Sequence, residues 1–317
     1  MPALMVRSFR RDDRDQLTEL VNQHVAAVVP GVSVSVNTVL SNLERQAEEF
    51  ITGPWVSERV TLVAEQRGSV VAAAHLLRYG ADSEIGEDYR DAGEIGWFVC
   101  RPPASFWPDS DEAADLLMSA CLAQLERWNV RSRYASGELP APVVYGLPRN
   151  WPHVRSVYER AGFRHVGDTE VILIAPTAGL PVLEPLPGVT AQRTQGECGT
   201  RFTAHAADGH VLGFIEVDTA LARPERHTRS GGLADIGNLH IDPAHDGEGV
   251  ERWLLAQAAD WLCLCGVERV VAYEAAADQT SIGRLTSAGF RELTRTDRRW
   301  EHLPGRGGAN SPVQNGR

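Results

Sequence analysis

Two acids, a residue type able to take a proton from a nucleophile, open two apolar stretches of this chain. Asp235 begins Asp-Ile-Gly-Asn-Leu-His-Ile-Asp-Pro (235–243), and Glu94 begins Glu-Ile-Gly-Trp-Phe-Val-Cys-Arg-Pro (94–102). The pair match at the acid, Ile, Gly and Pro, which marks an internal repeat. The second alternates apolar Ile236, Leu239 and Ile241 and stops at Pro243, which cannot donate to a ladder, so it reads as a strand. His240, on that strand, could relay a proton. Gly247 and Gly249 follow, directly before Val250, Trp253, Leu254 and Ala258, whose spacing gives one apolar helix face. A glycine turn into a helix leaves backbone N–H groups unpaired at a positive end, which suits a phosphate or carboxylate. A tight turn needs glycine whether or not anything binds there.

The elements that must position these residues can be read in order. Val6–Phe9 is a strand, followed by a helix with Leu17, Leu20, Val21, Val25 and Val28 on one face, and a second helix carries Val39, Leu40, Leu43 and Phe50. Val60–Glu65 and Val70–Leu77 form a hairpin around Gln66-Arg67-Gly68. After the Glu94 strand comes a helix from about Asp111 to Trp128, with Leu116, Leu117, Cys121 and Leu125 inward. Val143–Gly146 is a short strand, Pro152–Glu159 a helix ending in Ala161-Gly162-Phe163-Arg164, and Val171–Ile174 a strand that closes a first unit.

Residues 1–175 thus form one unit, 176–188 a proline-rich linker, 189–303 a second unit, and 304–317 a disordered tail. In the second unit Val189–Arg193, Thr200–Ala206 and Val211–Val217 are strands, with a turn at Asp208-Gly209. Between Arg193 and Thr200 there is no room for two helices, so this unit is a trimmed copy. Val267–Tyr273 is a strand, Thr280–Ser287 a helix ending in Ala288-Gly289-Phe290-Arg291, and Glu292–Glu301 a last strand.

A length of 317 residues favours two cores over one, and 43% hydrophobic residues suffice to build them. A formal net charge of -11 repels phosphate backbones and argues against nucleic acid as a partner. Absence of a long apolar run or an apolar leader places the chain in the cytoplasm, away from membranes. Five cysteines without Cys-x-x-Cys spacing read as reduced thiols. His205/His210 and His240/His245 are each five apart without a third ligand at useful spacing, so no metal is expected. No Gly-x-Ser-x-Gly elbow or Cys/His signature points to covalent catalysis.

A strand ending in Pro, a glycine turn into a helix, another strand, then a helix ending in Gly-Phe resembles the GNAT acyltransferase family, and both halves fit that order. The resemblance implies an α+β fold of two tandem domains, each a mixed, mostly antiparallel sheet flanked by helices, the second lacking its first two helices. It implies acetyl-CoA as acyl donor, with pantetheine along Leu239, His240 and Ile241 and diphosphate at the turn aligned with Gly247, Glu248, Gly249, Val250, Glu251 and Arg252. The acceptor would be a small-molecule amine. Asp246, Glu248 and Glu251 stand where the family turn carries a basic or glutamine residue and small residues, and like charges close together repel. The first unit has no glycine between Pro102 and Leu116, so its phosphate cradle is missing.

Tyr158, four residues before Gly162, matches the tyrosine that family members use as general acid toward the leaving thiolate; the second unit has Leu285 there. Glu94 and Asp235 match a common location of the base, with Glu216 a further candidate. Simpler readings stand beside these: Tyr158 as a core aromatic, Glu94 and Asp235 as solvated strand ends, His240 as a hydrogen-bonded strand histidine. Two further functions fit the acidic turn: transfer from a carrier-protein thioester, which lacks the diphosphate, and a tandem pair that has lost catalysis and serves as a binding or regulatory module.

Overall fold

The computed structural model describes residues 4–44, 53–103, 110–219, 232–245, 247 and 249–303. The expected tail at 304–317, and Asp246 and Glu248 of the glycine turn, lie outside the described residues.

The first sheet begins with β1 (Met5–Ser8), β2 (Val56–Gln66), β3 (Ser69–Tyr79), β4 (Ala92–Cys100) and β5 (Ser132–Ala135). Arg67 and Gly68 join β2 to β3 with φ of 55° and 78°, the doubly left-handed turn that matches strand twist. Helices α1 (Arg14–Val28), α2 (Val36–Leu43) and α3 (Ser110–Arg127) precede or follow these strands. Leu17, Leu20, Val21, Val25 and Val28 of α1 enter the core as their spacing predicts. On α3 Leu117, Cys121 and Leu125 do the same, whereas Leu116, read as inward, is exposed.

A further expectation in this half is corrected. Val143–Gly146 is not a strand: Val143 has φ of 74° and Gly146 of 132°, which breaks extended pairing. The strand partner of β4 is instead β5, whose Ser-Arg-Tyr-Ala run carries no apolar pattern that would have announced it. Helix α4 (Pro152–Arg160) then runs to the left-handed Gly162, with φ of 91°, as the Ala-Gly-Phe motif requires.

The second sheet contains β6 (Leu147–Pro148), β8 (Thr169–Pro176), β9 (Val189–Gly196), β10 (Gly199–Ala206), β11 (Val211–Asp218), β12 (Leu233–Ile241), β13 (Arg269–Ala275) and β14 (Arg291–Asp297). Helix α5 (Val250–Leu264) follows β12, and α6 (Gln279–Ser287) follows β13. A direct turn joins β9 to β10, so the two helices are absent there.

The sheets do not follow chain order. Strand order in the first is β1-β2-β3-β4-β5-β15-β7, where β7 is Phe163–His165 and β15 is Trp300–His302. In the second it is β6-β14-β8-β13-β12-β11-β10-β9. The segment 171–174, expected to close the first unit, instead lies between β13 and β14 in the second sheet. The expected single strand Glu292–Glu301 is two strands, because Arg298 and Arg299 carry the chain from one sheet to the other. The first half thus lends β6 and β8 to the second sheet, and the second half lends β15 to the first.

The composition of β8 explains its place. Val171, Leu173 and Ala175 pack into the second core beside α5, while Ile172 and Ile174 pack into the first. A strand apolar on both faces belongs in a sheet interior covered on both sides. Leu233 and Val271 also face the first core, so one face of the second sheet is buried against the first unit. No helix of the described residues is long and apolar enough to cross a membrane.

Candidate active site

The Ile-Gly of the repeat makes the same irregularity twice. In β4 the register against β3 runs from His75↔Trp97 to Leu76↔Ile95, leaving Gly96 as an extra residue. In β12 it runs from Glu216↔Asn238 to Val217↔Ile236, leaving Gly237 extra. Such bulges re-aim the side chains that follow. In β12, Ala234 and Ile236 pack into the second core, and after the bulge Leu239 and Ile241 pack against it as well. Asn238 and His240 face the other way, toward Glu216 and Phe214, the His240 and Phe214 rings being 5.6 Å apart.

Beyond the bulge the two halves diverge. Strand β12 pairs in parallel with β13 only from Leu233↔Arg269 to Asp235↔Val271, after which β13 stays with β8 and leaves β12. A cavity of about 210 Å³ opens there. Leu239, Ile241 and Pro243 form one wall, Glu274, Ser281, Arg284 and Leu285 the other, and Glu251 of α5 stands at its rim. In the first unit β4 and β5 stay closed: Ser136 N–H donates to Ile95 O (2.8 Å) and Glu138 N–H to Gly96 O (3.1 Å). Leu139, Ala141, Val143 and Val144 then fill the core beside them.

The glycine turn has the conformation that its residues imply. Gly247 and Gly249 have φ of 86° and 82°, with open space where a side chain would stand, so conformation and not crowding demands glycine. Gly249 caps α5 without a side-chain bond, leaving the first-turn N–H groups of Val250, Glu251 and Arg252 at the positive helix end. The Val250 side chain is buried and Arg252 is exposed. Glu251, read as an uncompensated acid, is paired with Arg284 (Oε2 to Nη1, 3.4 Å). Burial, helped by the charges of Asp278, Glu251 and Glu170, pushes the Glu274 carboxyl up.

The remaining candidates are dispersed. His240 is exposed beside Phe214 on the face away from Leu239 and Ile241, and it does not line the cavity. Tyr158 is fully buried among Phe98, Phe163 and Trp300, and its hydroxyl donates to Ser136 O at 2.6 Å. Its hydroxyl is therefore held by the chain segment that closes the first cleft. Leu285, its counterpart, lines the open cleft.

Glu94 accepts a 2.5 Å bond from the Tyr79 hydroxyl at the edge of a separate cavity of about 260 Å³, shared with Tyr89, Tyr134 and Tyr145. Burial, with the charge of Glu138, pushes its carboxyl up to about 7 despite that bond. Tyr145 also lies against Tyr273 of β13, ring to ring at 5.7 Å, and the Asp235 charge adds to the burial that raises the Tyr273 hydroxyl. The two acids of the repeat therefore lie on the side where the units meet.

Glu216 is not available as a base. Its fully buried carboxylate accepts from Arg201 (2.6 Å), Asn238 (2.8 Å) and the backbone N–H groups of Glu197 and Cys198 (3.2 Å each). Burial alone would raise this carboxyl, but those bonds outweigh it and hold it below the usual range. It bolts the β9–β10 turn over the bulge, where a side chain on Gly237 would meet Cys198 Cβ at 2.3 Å.

Sequence reasoning missed Arg284, Ser281 and Glu274, since nothing in their spacing ties α6 to β12; the repeat placing Leu285 opposite Tyr158 was the one available signal. It also missed a cluster at the sheet end. His210, Asp242 and His245 place one ligand atom each within 4.8 Å of one another, the third ligand coming from the fold and not from spacing.

No protein-family model matches this chain, and no curated protein does. Solved structures do. A GCN5-related N-acetyltransferase from Sphaerobacter thermophilus matches with a TM-score of 0.60 at 16% identity, over 95% of this chain and 96% of its own. A tandem GNAT protein from the clavulanic acid biosynthesis pathway matches at 0.61 and 14%, over 95% and 99%. A GCN5-related glucosamine N-acetyltransferase region in a fungal multi-domain GH3 beta-N-acetylglucosaminidase matches at 0.59 and 12%; this chain is covered to 96% and spans 38% of that protein. At such identities the likeness is one of architecture, and it agrees with the paired bulges, the parting of β12 from β13 and the Gly-Phe helix ends: this chain has a tandem GNAT fold.

Proposed function

We propose that this protein is an acyltransferase that moves an acetyl or other acyl group from a CoA thioester to a small-molecule amine, with the donor held in the cleft between β12 and β13. The observation that carries this reading is the contrast between the two units. One retains an open cleft with one apolar wall, leading to a glycine turn, and the other has filled the equivalent gap with its own residues 136–144. The residues present suit the donor: Leu239 and Ile241 offer a narrow apolar wall, the first-turn amides of α5 suit a phosphate, and Arg284 offsets Glu251.

Bound there, the donor supplies an activated carbonyl. The β12 bulge puts Leu239 and Ile241 on the donor side of the strand and Asn238 and His240 on its opposite face. Asp235, at the last rung before the strands part, is assigned the proton from the amine. Backbone N–H groups freed where β12 leaves β13 are assigned to polarise the carbonyl. Glu94 is the counterpart of Asp235 in the unit whose cleft is closed.

Thermal-shift titration with acetyl-CoA tests the reading. The midpoint should climb with the logarithm of ligand concentration, and Leu239→Trp, which fills the cleft, should abolish the climb without lowering the midpoint of the free protein. A flat response up to millimolar acetyl-CoA would leave the carrier-protein donor or the non-catalytic module.

A further inference from the structure

We propose that His210, Asp242 and His245 form a site for a divalent transition-metal ion of the zinc type, separate from the acyl-transfer cleft. Strand β11 starts just after His210 and β12 ends just before Asp242, and these strands are antiparallel neighbours with Gly213 opposite Ile241. The Asp242 N–H donates to Leu212 O at 2.9 Å, which carries the pairing past the end of β12 and sets His210 beside Asp242. The chain then turns through a short helical turn, Pro243–His245, where His245 N–H donates to Asp242 O at 2.8 Å. That turn returns the second imidazole to the first, with ring centroids 5.7 Å apart.

The donor set and its spacing point to a metal. His210 Nε2 lies 3.2 Å from Asp242 Oδ2, and the three candidate ligand atoms all lie within 4.8 Å. Tetrahedral zinc with bonds of about 2.0–2.1 Å needs ligand atoms about 3.3 Å apart, so small side-chain rotations complete the geometry. Asp242 Oδ1 accepts from Ala244 N–H at 2.9 Å, which orients the carboxylate and turns Oδ2 to the histidines. The His210 backbone N–H is likewise bonded to Asp208 Oδ1 at 3.0 Å, so the hairpin that carries it is held. Two imidazoles with one carboxylate select zinc, cobalt or nickel over magnesium or calcium, which take all-oxygen sets. Three protein ligands leave a position open to solvent. A bound ion would staple the β10–β11 hairpin to the loop that leads into Gly247.

The site is tested on the full, tag-free chain after chelator treatment, in a Cys263→Ser/Cys265→Ser background because those two exposed thiols would compete for metal. Titration with Co²⁺, followed by visible absorption, should show one equivalent bound with a d–d band of low coordination number, displaced by one equivalent of Zn²⁺. Zn²⁺ should also raise the unfolding midpoint. His210→Ala and His245→Ala should each weaken Co²⁺ binding by at least about tenfold, and the double variant should abolish it with its far-UV spectrum unchanged. Absence of saturable binding, or binding that survives in the double variant, would overturn the proposal. Neither outcome bears on acetyl-CoA binding.

Discussion

Glu251 and Arg284 face each other at the rim of the open cleft, one on the helix after β12 and the other on the helix after β13, with 3.4 Å between Oε2 and Nη1. This contact changes the electrostatics of the acidic turn. An acid that would repel a diphosphate is matched by a guanidinium, so the donor meets a near-neutral rim at this point. Both side chains keep contact with solvent, so the pair itself adds at most about 1 kcal/mol to folding; its consequence lies in binding. Arg284→Ala should weaken acetyl-CoA about tenfold by calorimetry, equivalent to about 1.4 kcal/mol. Glu251→Gln should tighten it. In the Glu251→Gln background the loss from Arg284→Ala should shrink; an undiminished loss would mean that Arg284 acts on the donor directly and not through Glu251.

A second expectation concerns Glu94, whose carboxyl sits beside Tyr79 with burial pushing it up to about 7. The folded protein holds this proton over a range in which an unfolded glutamate has released it, so folding takes up a proton between about pH 4.5 and 7. The stabilisation is complete below the unfolded value and is lost as pH rises through the folded one. Glu94→Gln keeps the site neutral throughout. It should therefore flatten the fall of the unfolding midpoint between pH 5 and pH 8, and its gain over the parent should be larger at pH 8. Equal midpoints for parent and variant across that range would show that the Tyr79 bond fully compensates the buried charge.

Much of this architecture was legible because the repeat carries its own physics. Gly96 and Gly237 were visible as matched positions in two apolar stretches, and both prove to be the extra residue of a bulge. Gly162 and Gly289 were legible as left-handed caps, with φ of 91° and 105°. What remained hidden depends on pairing across long separations. The Val-Ile-Leu-Ile-Ala run of β8 announces a strand buried on both faces, yet nothing local says which sheet will enclose it. Trp300 looked continuous with Glu292, since two exposed arginines between them do not announce a crossing. The pairing of Glu251 with Arg284, and the gathering of His210, Asp242 and His245, likewise follow from tertiary neighbours and leave no mark in spacing.

Glu216 supplies a prediction that separates a structural acid from a catalytic one. Removing it in Glu216→Ala would leave Arg201, Asn238 and the amides of Glu197 and Cys198 without their shared acceptor. Loss of one partner from such a buried arrangement costs about 3 kcal/mol or more, which urea unfolding would register as a lower midpoint. A proton-accepting role would predict the reverse pattern: stability near that of the parent, and a turnover that falls at neutral pH, where the parent's carboxylate is ionised.

Strand exchange between the halves leads to the last prediction. Trp300, although near the end of the chain, is buried in the first unit, where β15 pairs with Ala135 on one side and His165 on the other. Its ring meets Tyr158 at 6.0 Å and lies under the Arg155 guanidinium at 5.1 Å. Trp300→Ala should therefore cost about 3–5 kcal/mol, with the loss read from signals of the first unit, 135 residues or more away in sequence. Strand β8 makes the reciprocal link, seven rungs of antiparallel pairing with β13. Protease cleavage within 182–184, where Val182 and Leu183 are exposed, should then leave the two pieces associated, eluting together and unfolding in one transition. Pieces that separate under native conditions would mean that the exchanged strands contribute little, because units joined only by a linker part once it is cut.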